Sequence, residues 1–248
     1  MEKNIIITGS NRGIGFAMVK KFAENGCNVW ACARKYNEDF EKQISEIAEE
    51  NGVWIRPVYF DLTDETAIKV GVTEIYKEKK PINTLINNAG IYQEKLFQMN
   101  TISEIKNVFN VNVFSMMYVT QMILKIMARQ KQGNIINIAS ITGLTPYQGA
   151  VCYGSSKAAV VAFTKSLTIE VAHLGNIRVN AIAPGHTDTE LLSGLSDKDM
   201  KDLLGGCVMK RLALPSEIAD VAYYLSGESS SFINGQVIRV DGGECHGK

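Results

Sequence analysis

Tyr153 and Lys157, in the stretch YGSSK, stand four residues apart, a spacing that brings both side chains onto one face of a helix. A free phenol ionises at about pH 10, too high for efficient proton exchange near neutrality. An ammonium about 4 Å from the phenolic oxygen, at an effective dielectric near 20, favours the phenolate by roughly 4 kcal/mol, or about three pK units. The spacing therefore predicts that Lys157 draws the pKa of Tyr153 toward neutrality, with desolvation cancelling part of the shift. A tyrosine so placed can exchange a proton with a carbonyl or alcohol oxygen. The plain alternative for so short a pattern is a partly buried tyrosine whose lysine lies in solvent.

A second set of residues suits a phosphate. The run Thr8-Gly9-Ser10-Asn11-Arg12-Gly13-Ile14-Gly15 follows a short apolar stretch and leads into the helical pattern FAMVKKFAEN, closed by Gly26. In a strand, turn and helix so arranged, Gly9 permits the tight turn, Gly13 close approach of the backbone to a ligand, and Gly15 close packing of helix on strand. The N–H groups and dipole at the helix start attract a pyrophosphate. The spacing is G-x-x-x-G-x-G rather than the commoner G-x-G-x-x-G, and a purely structural turn is the alternative.

The elements that must position these groups alternate along the chain. Asn4-Thr8, Asn28-Ala33, Trp54-Phe60, Thr84-Ile86, Asn134-Ala139, Arg178-Ile182 and Gln236-Val240 are the strand candidates, with helical patterns between them. Thr101-Ile102-Ser103-Glu104 forms a capping box ahead of a helix running to about Arg129, and Leu214-Pro215-Ser216-Glu217 sets a proline near another helix start. This alternation predicts a parallel sheet with helices on both faces. At 248 residues the chain suits one such domain. The least patterned stretch, roughly 185–211, has the character of a substrate lid.

Composition narrows the partners. Lys plus Arg and Asp plus Glu are 26 each, with no basic stripe, so neither nucleic acid nor an anionic membrane is an expected partner. No unbroken apolar run approaches the roughly 18 residues needed to cross a bilayer, and the opening MEKNIIITG lacks the regions of a secretory leader, so the expected location is the cytosol. Cys27, Cys32, Cys152, Cys207 and Cys245 are scattered and read as reduced thiols, and Cys152, beside Tyr153, as a packing residue. His173, His186 and His246 show no metal-ligand spacing. Met99, Met116, Met117, Met122 and Met127 read as core or subunit packing rather than as a flexible binding surface.

Taken together and in order, TGxxxGIG at 8–15, NNAG at 87–90, a serine at 140 ending a strand, YxxxK at 153–157 and PG at 184–185 resemble the short-chain dehydrogenase/reductase family over essentially the whole chain. Within it, NRGIG, IRVNAIAPG at 177–185 and INGQVIRVDGG at 233–243 are most similar to the β-ketoacyl-acyl-carrier-protein reductase branch. The resemblance implies a doubly wound, Rossmann-like α/β/α domain and a homotetramer. It implies that Tyr153 gives a proton to the carbonyl oxygen while Ser140 hydrogen-bonds that oxygen. Lys157 also binds the nicotinamide ribose, and Asn112 supports a water relay to the lysine, with Asn110 the neighbouring candidate and a packing amide the alternative. Asn88, Ala89 and Gly90 would line the ribose side and Asp61 and Leu62 the adenine. Pro184, Gly185, Thr187 and Thr189 complete the cofactor surface.

The preferred cofactor is NADP(H), with NAD(H) the alternative. Folds that select NAD place a carboxylate at the end of the second strand. Here Ala33 holds that position, followed by Arg34, which with Arg12 would clamp a 2′-phosphate. The expected substrate is a ketone or 3-oxoacyl thioester, with a sugar, polyol, steroid or small secondary alcohol as alternatives and a catalytically silent dinucleotide sensor as the reading from another class. An acyl-carrier protein is an expected partner by resemblance. Relatives dock it through bases ahead of two strands; here Arg129 and Lys131 precede the first, but His173-Leu174-Gly175-Asn176 precedes the second without an arginine.

Overall fold

Runs such as Ile5-Ile6-Ile7 and Ile135-Ile136 are apolar at every position rather than alternating, the pattern of strands covered on both faces. In the computed structural model, which describes residues 3–190 and 197–244, they form one parallel sheet. The elements run β1 (Asn4–Thr8), α1 (Gly13–Glu24), β2 (Asn28–Ala33), α2 (Glu38–Asn51), β3 (Ile55–Tyr59), α3 (Glu65–Lys77), β4 (Thr84–Asn87), α4 (Ile102–Phe109), α5 (Met116–Gln130), β5 (Gln132–Ile138), α6 (Val151–Glu170), β6 (Asn176–Pro184), α7 (Asp197–Leu204), α8 (Pro215–Ser226) and β7 (Val237–Val240). Strand order is β3-β2-β1-β4-β5-β6-β7, every pairing parallel. On one face Met18, Phe22, Ile44, Ile218 and Leu225 bring α1, α2 and α8 against the sheet. On the other, Ile68, Ile75, Val119, Ile123, Met127 and Leu167 do the same for α3, α5 and α6. The result is the expected three-layer, doubly wound α/β/α fold.

All seven expected strands are present, β1 and β2 with the expected bounds, the others with ends shifted by a residue or two, and β6 longer at both ends. The Thr101–Glu104 capping box is formed. The helix behind it departs from expectation: between α4 and α5 the backbone widens into a π-helical segment, Asn110–Ser115. Such insertions concentrate at functional sites. By length and composition the whole run Ile102–Gln130 passes for a membrane span, with mean hydropathy 1.3 and half of its window buried. Its inner face is filled by Val119, Ile123 and Met127 of the core, as in a core helix.

Buried amides pin the sheet to its helices. Asn87 Nδ2 donates to Asn137 Oδ1 and to Thr120 Oγ1, both at 2.8 Å, and Asn137 Nδ2 donates to Thr164 Oγ1 at 2.9 Å. β4 and β5 are thus tied to α5 and α6 just beneath the carboxyl edge, where the candidate site lies. Directional contacts of this kind between buried amides and hydroxyls disfavour slipped registers, although the buried Asn87 Oδ1 has no hydrogen-bond partner. Of the expected lid, residues 191–196 lie outside the described residues, as do Cys245 and His246. Cys27, Cys32, Cys152 and Cys207 are buried free thiols. Met116 and Met127 are core residues, Met117 and Met122 pack against the core, and Met99 is exposed.

Candidate active site

Strand β5 ends at Ile138, and the chain turns sharply at Ser140, whose Oγ accepts from the Thr142 N–H at 3.2 Å and the Thr142 hydroxyl at 2.9 Å. This turn lies flush on the first turns of α6. A Cβ on Gly143 would meet the Lys157 carbonyl carbon at 2.7 Å, and one on Gly154 would meet the Thr142 oxygen at 2.8 Å. The two glycines permit the close approach that puts Ser140 within hydrogen-bonding reach of Tyr153. Tyr153 and Lys157 follow on one face of α6, as their spacing requires.

The electrostatics correct the expectation for this pair. Burial holds the Tyr153 phenol up at about 12, and a hydrogen bond from Ser140 draws it back only in part. Burial likewise lowers the Lys157 ammonium to about 8. The Lys157 Nζ donates to the Ile138 carbonyl at 2.8 Å and lies 5.7 Å from the centre of the Tyr153 ring. Desolvation is the largest influence on both groups.

The π-helical segment delivers Asn112 to the same place. Its Oδ1 accepts from the Ile91 N–H at 2.8 Å, and its Nδ2 donates to the Ile91 carbonyl at 2.9 Å and to Ser156 Oγ at 3.0 Å. A Cβ on Gly90 would meet Asn112 Oδ1 at 3.1 Å and Lys157 Nζ at 3.4 Å. Asn112, rather than the half-buried Asn110, is therefore the buried amide that joins the β4 loop to α6. An aromatic ring not foreseen from the sequence completes the group: Tyr92 stands edge-on to Tyr153, with ring centroids 4.9 Å apart. Its one signal in the sequence is its place two residues beyond NNAG.

The glycine-rich turn lies across the edge, where β1 and β4 are neighbours but their following helices go to opposite faces. Gly9 and Gly13 have positive φ, 68° and 54°. Any Cβ on Gly15 would collide with the Gly9 carbonyl oxygen. Asn88 braces the turn, donating through Nδ2 to Thr8 O at 2.9 Å and Gly9 O at 3.1 Å, while Thr8 Oγ1 accepts from the N–H groups of Asn88 and Ala89. Arg12 holds the cap position of α1 without supplying a side-chain cap, so the first N–H groups of that helix are not taken by its own cap residue. Asn11 is exposed and Ile14 packs against the core.

Toward the adenine side, Ala33 is buried at the end of β2 and Arg34 exposed beyond it. Asp61 Oδ1 accepts from the Thr63 N–H and hydroxyl, both at 2.8 Å, and the Thr63 bonds, aided by the charges of Arg34 and Lys35, hold its carboxyl below the usual range. The Leu62 carbonyl accepts from Ser115. Arg12 is engaged in an exposed ion pair with Glu190 at 2.6 Å, a partner 178 positions away that no local pattern marks. On the far side Pro184 ends β6, Gly185 donates to Val240 O at 2.9 Å, Thr187 bridges to Ala213, and the Thr189 methyl would lie 3.3 Å from a Cβ on Gly13. A further cluster, drawn from residues far apart in the chain, joins Tyr147, His186 and Glu244, with His186 Nε2 3.0 Å from Glu244 Oε1 and 3.2 Å from Tyr147 Oη.

A doubly wound sheet with a glycine-rich turn at its switch point, and a serine, tyrosine and lysine gathered at the same edge, is the arrangement of a dinucleotide-dependent oxidoreductase. The short chain dehydrogenase family matches residues 3–200, and the chain belongs to it. It is 36% identical over 98% of its length to the 3-oxoacyl-[acyl-carrier-protein] reductase of Chlamydia trachomatis, covering 97% of that protein. It is 37% identical to the enzyme of that description from Aquifex aeolicus, over 96% of this chain and 95% of the other. A 3α-hydroxysteroid dehydrogenase of Mediterraneibacter gnavus is 33% identical, over 97% and 96%. The crystal structure of a candidate gluconate dehydrogenase from Agrobacterium tumefaciens superposes with a TM-score of 0.91 at 26% identity, over 98% of this chain and 95% of that one. Membership implies a nicotinamide dinucleotide. The residues present fit one: an α1 start with no side-chain cap and the backbone of Gly9, Gly13 and Gly15 suit the pyrophosphate, and the Lys157 ammonium close to Gly90 is a donor for a ribose hydroxyl.

Proposed function

We propose that the chain is an NADP(H)-linked ketone reductase whose leading substrate class is the 3-oxoacyl thioester. The observation that carries the reading is the convergence of Ser140, Tyr153, Lys157 and Asn112 at the edge that also holds the glycine-rich turn. When bound, the nicotinamide supplies the hydride that reaches the carbonyl carbon. Tyr153 gives its proton to the carbonyl oxygen, and Ser140 hydrogen-bonds that oxygen as negative charge gathers on it. Lys157 holds the ribose hydroxyls and stabilises the phenolate left behind. Asn112 fixes the Ile91 backbone and Ser156 around that lysine. Arg34 and Arg12 take the 2′-phosphate, which requires Arg12 to leave or share Glu190. The similarity to several 3-oxoacyl reductases over nearly the full chain supports the substrate class.

The likeness to a candidate gluconate dehydrogenase, together with the polar cluster of Tyr147, His186 and Glu244, favours a second reading: oxidation of a secondary alcohol on a polyhydroxylated substrate. Steady-state rates on a panel of 3-oxoacyl thioesters, simple ketones, polyols and sugar acids separate the two. Turnover confined to the last two classes would overturn the first reading. A protein inert on the whole panel that still binds NADPH would point to a dinucleotide sensor.

Exposed apolar side chains on the long helices, among them Ile102, Phe114, Val151 and Ile169, and fully exposed Phe232, support association into a homotetramer. A cytosolic location belongs to the same reading. An acyl-carrier protein is the weaker part of it. Arg129 is near Tyr76, its guanidinium 3.3 Å from that hydroxyl, but the second expected base is missing at 173–176, so simple thioesters should compete well with carrier-bound ones. A steep, salt-sensitive preference for the carrier form would contradict this.

A further inference from the structure

We infer that Tyr92 and Glu94 form a specificity-determining pair, which recognises a hydroxyl or amide N–H donor on the substrate beyond its reacting carbonyl and disfavours an anionic group there. The inference deepens the ketone-reductase reading and rests on it. Tyr92 is 39% exposed yet packs edge-on against the ring of Tyr153 at 4.9 Å, so any substrate whose carbonyl oxygen reaches Tyr153 passes beside it. The Tyr92 hydroxyl donates to Glu94 Oε2 at 2.5 Å. Its single proton is thereby committed, leaving the phenolic lone pairs and the remaining carboxylate oxygen as acceptors only.

The pair is held on a segment pinned from several sides. Asn112 bonds both backbone groups of Ile91, the Lys95 N–H donates to Gly149 O at 2.7 Å, and Lys95 Nζ bonds both carboxylate oxygens of Glu104 at 2.9 and 3.1 Å. Glu94 Cγ would lie 3.1 Å from a Cβ on Gly149, which seats Glu94 against the loop that precedes Tyr153. Acceptors fixed in advance lose little freedom when a donor arrives. The amide of a pantetheine-like thioester arm supplies such a donor, as does the hydroxyl of a polar ketone. A free 3-oxo acid instead meets a carboxylate.

The test compares two thioesters of the same ketone, the N-acetylcysteamine thioester of 3-oxobutanoate, which carries an amide N–H, and its S-ethyl thioester, which does not, with 3-oxobutanoate itself as the anionic probe. The wild type should prefer the amide-bearing compound by roughly tenfold in kcat/KM, the scale of one hydrogen bond to a charged pair. Tyr92→Phe should cut that ratio to about threefold or less, chiefly through KM. Glu94→Gln should lower the ratio and raise kcat/KM for the 3-oxobutanoate anion, a gain that a merely structural Glu94 would not give. A wild-type ratio near one, or a ratio unchanged in both variants, overturns the inference. Failure of the wild type to reduce either thioester overturns the underlying reading, and the inference with it.

Discussion

The ammonium of Lys157 gives its hydrogen bond to the carbonyl of Ile138, 2.8 Å away, and stands 5.7 Å from the centre of the Tyr153 ring. Two groups whose burial shifts each toward its neutral form therefore share one face of α6. Tyr153 keeps its proton to about 12, whereas Lys157 gives up its proton at about 8. In the proposed reaction the lysine must be charged when the phenol releases its proton, so the lysine sets the alkaline limit. Ketone reduction should hold steady below pH 8 and decline as pH rises through about 8. A profile of kcat/KM against pH measures this, and a break displaced to pH 10 or above would assign the limit to Tyr153 instead.

In the proposed reaction, replacement of Tyr153 by Phe removes one hydroxyl that acts only in the chemical step. Turnover should fall by at least about a thousandfold while the Kd for NADPH, read by fluorescence, changes little. Lys157→Met should damage both. If Tyr153→Phe kept more than about a tenth of the wild-type kcat, proton transfer by this residue would have to be given up.

Cofactor preference can be tested at the end of β2. With Ala33 buried there and Arg34 exposed beyond it, NADPH should be favoured over NADH by at least about tenfold in kcat/KM, the scale of one charge-assisted hydrogen bond. Ala33→Asp combined with Arg34→Ala should narrow or reverse the ratio. Equal use of both cofactors by the wild type would return Arg34 to the solvated surface.

Gly15 faces the Gly9 carbonyl so closely that no side chain fits. Gly15→Ala must push α1 away from the turn, and the cost expected for overpacking is about 1–3 kcal/mol. Urea unfolding should register that loss, and NADPH affinity should fall with it. Unaltered stability and affinity would mean that the turn adapts and that the close packing is dispensable.

Much of this molecule can be read along the chain because the physics involved is local. Runs like Ile5-Ile6-Ile7 announce a strand covered on both faces, and the Thr101–Glu104 pair announces a helix start. The glycine turn and the Tyr153–Lys157 spacing are equally local. What escaped depends on depth and on contacts between distant residues. Spacing places an ammonium on the same face as a phenol but says nothing of how far both are withdrawn from water, and burial shifts Tyr153 upward, against the direction the spacing predicts. The π-helical turn at Asn110–Ser115 leaves no residue signature. Nor could the Arg12–Glu190 pair or the edge-on contact of Tyr92 with Tyr153 be seen before the chain was folded.

The adjacency of β1 and β4 carries a consequence for how such proteins diversify. The groups proposed to choose the cofactor, Arg12 and Arg34, precede β4, whereas Ser140, Tyr153, Lys157 and the Tyr92–Glu94 pair all follow it. Apart from the Arg12–Glu190 pair, which spans the division, selection can act on the two halves separately. A duplicated gene is free to drift toward a new ketone through its later codons while inheriting its electron donor unchanged. A few replacements in the earlier codons could move the same chemistry from one pool of reducing equivalents to the other.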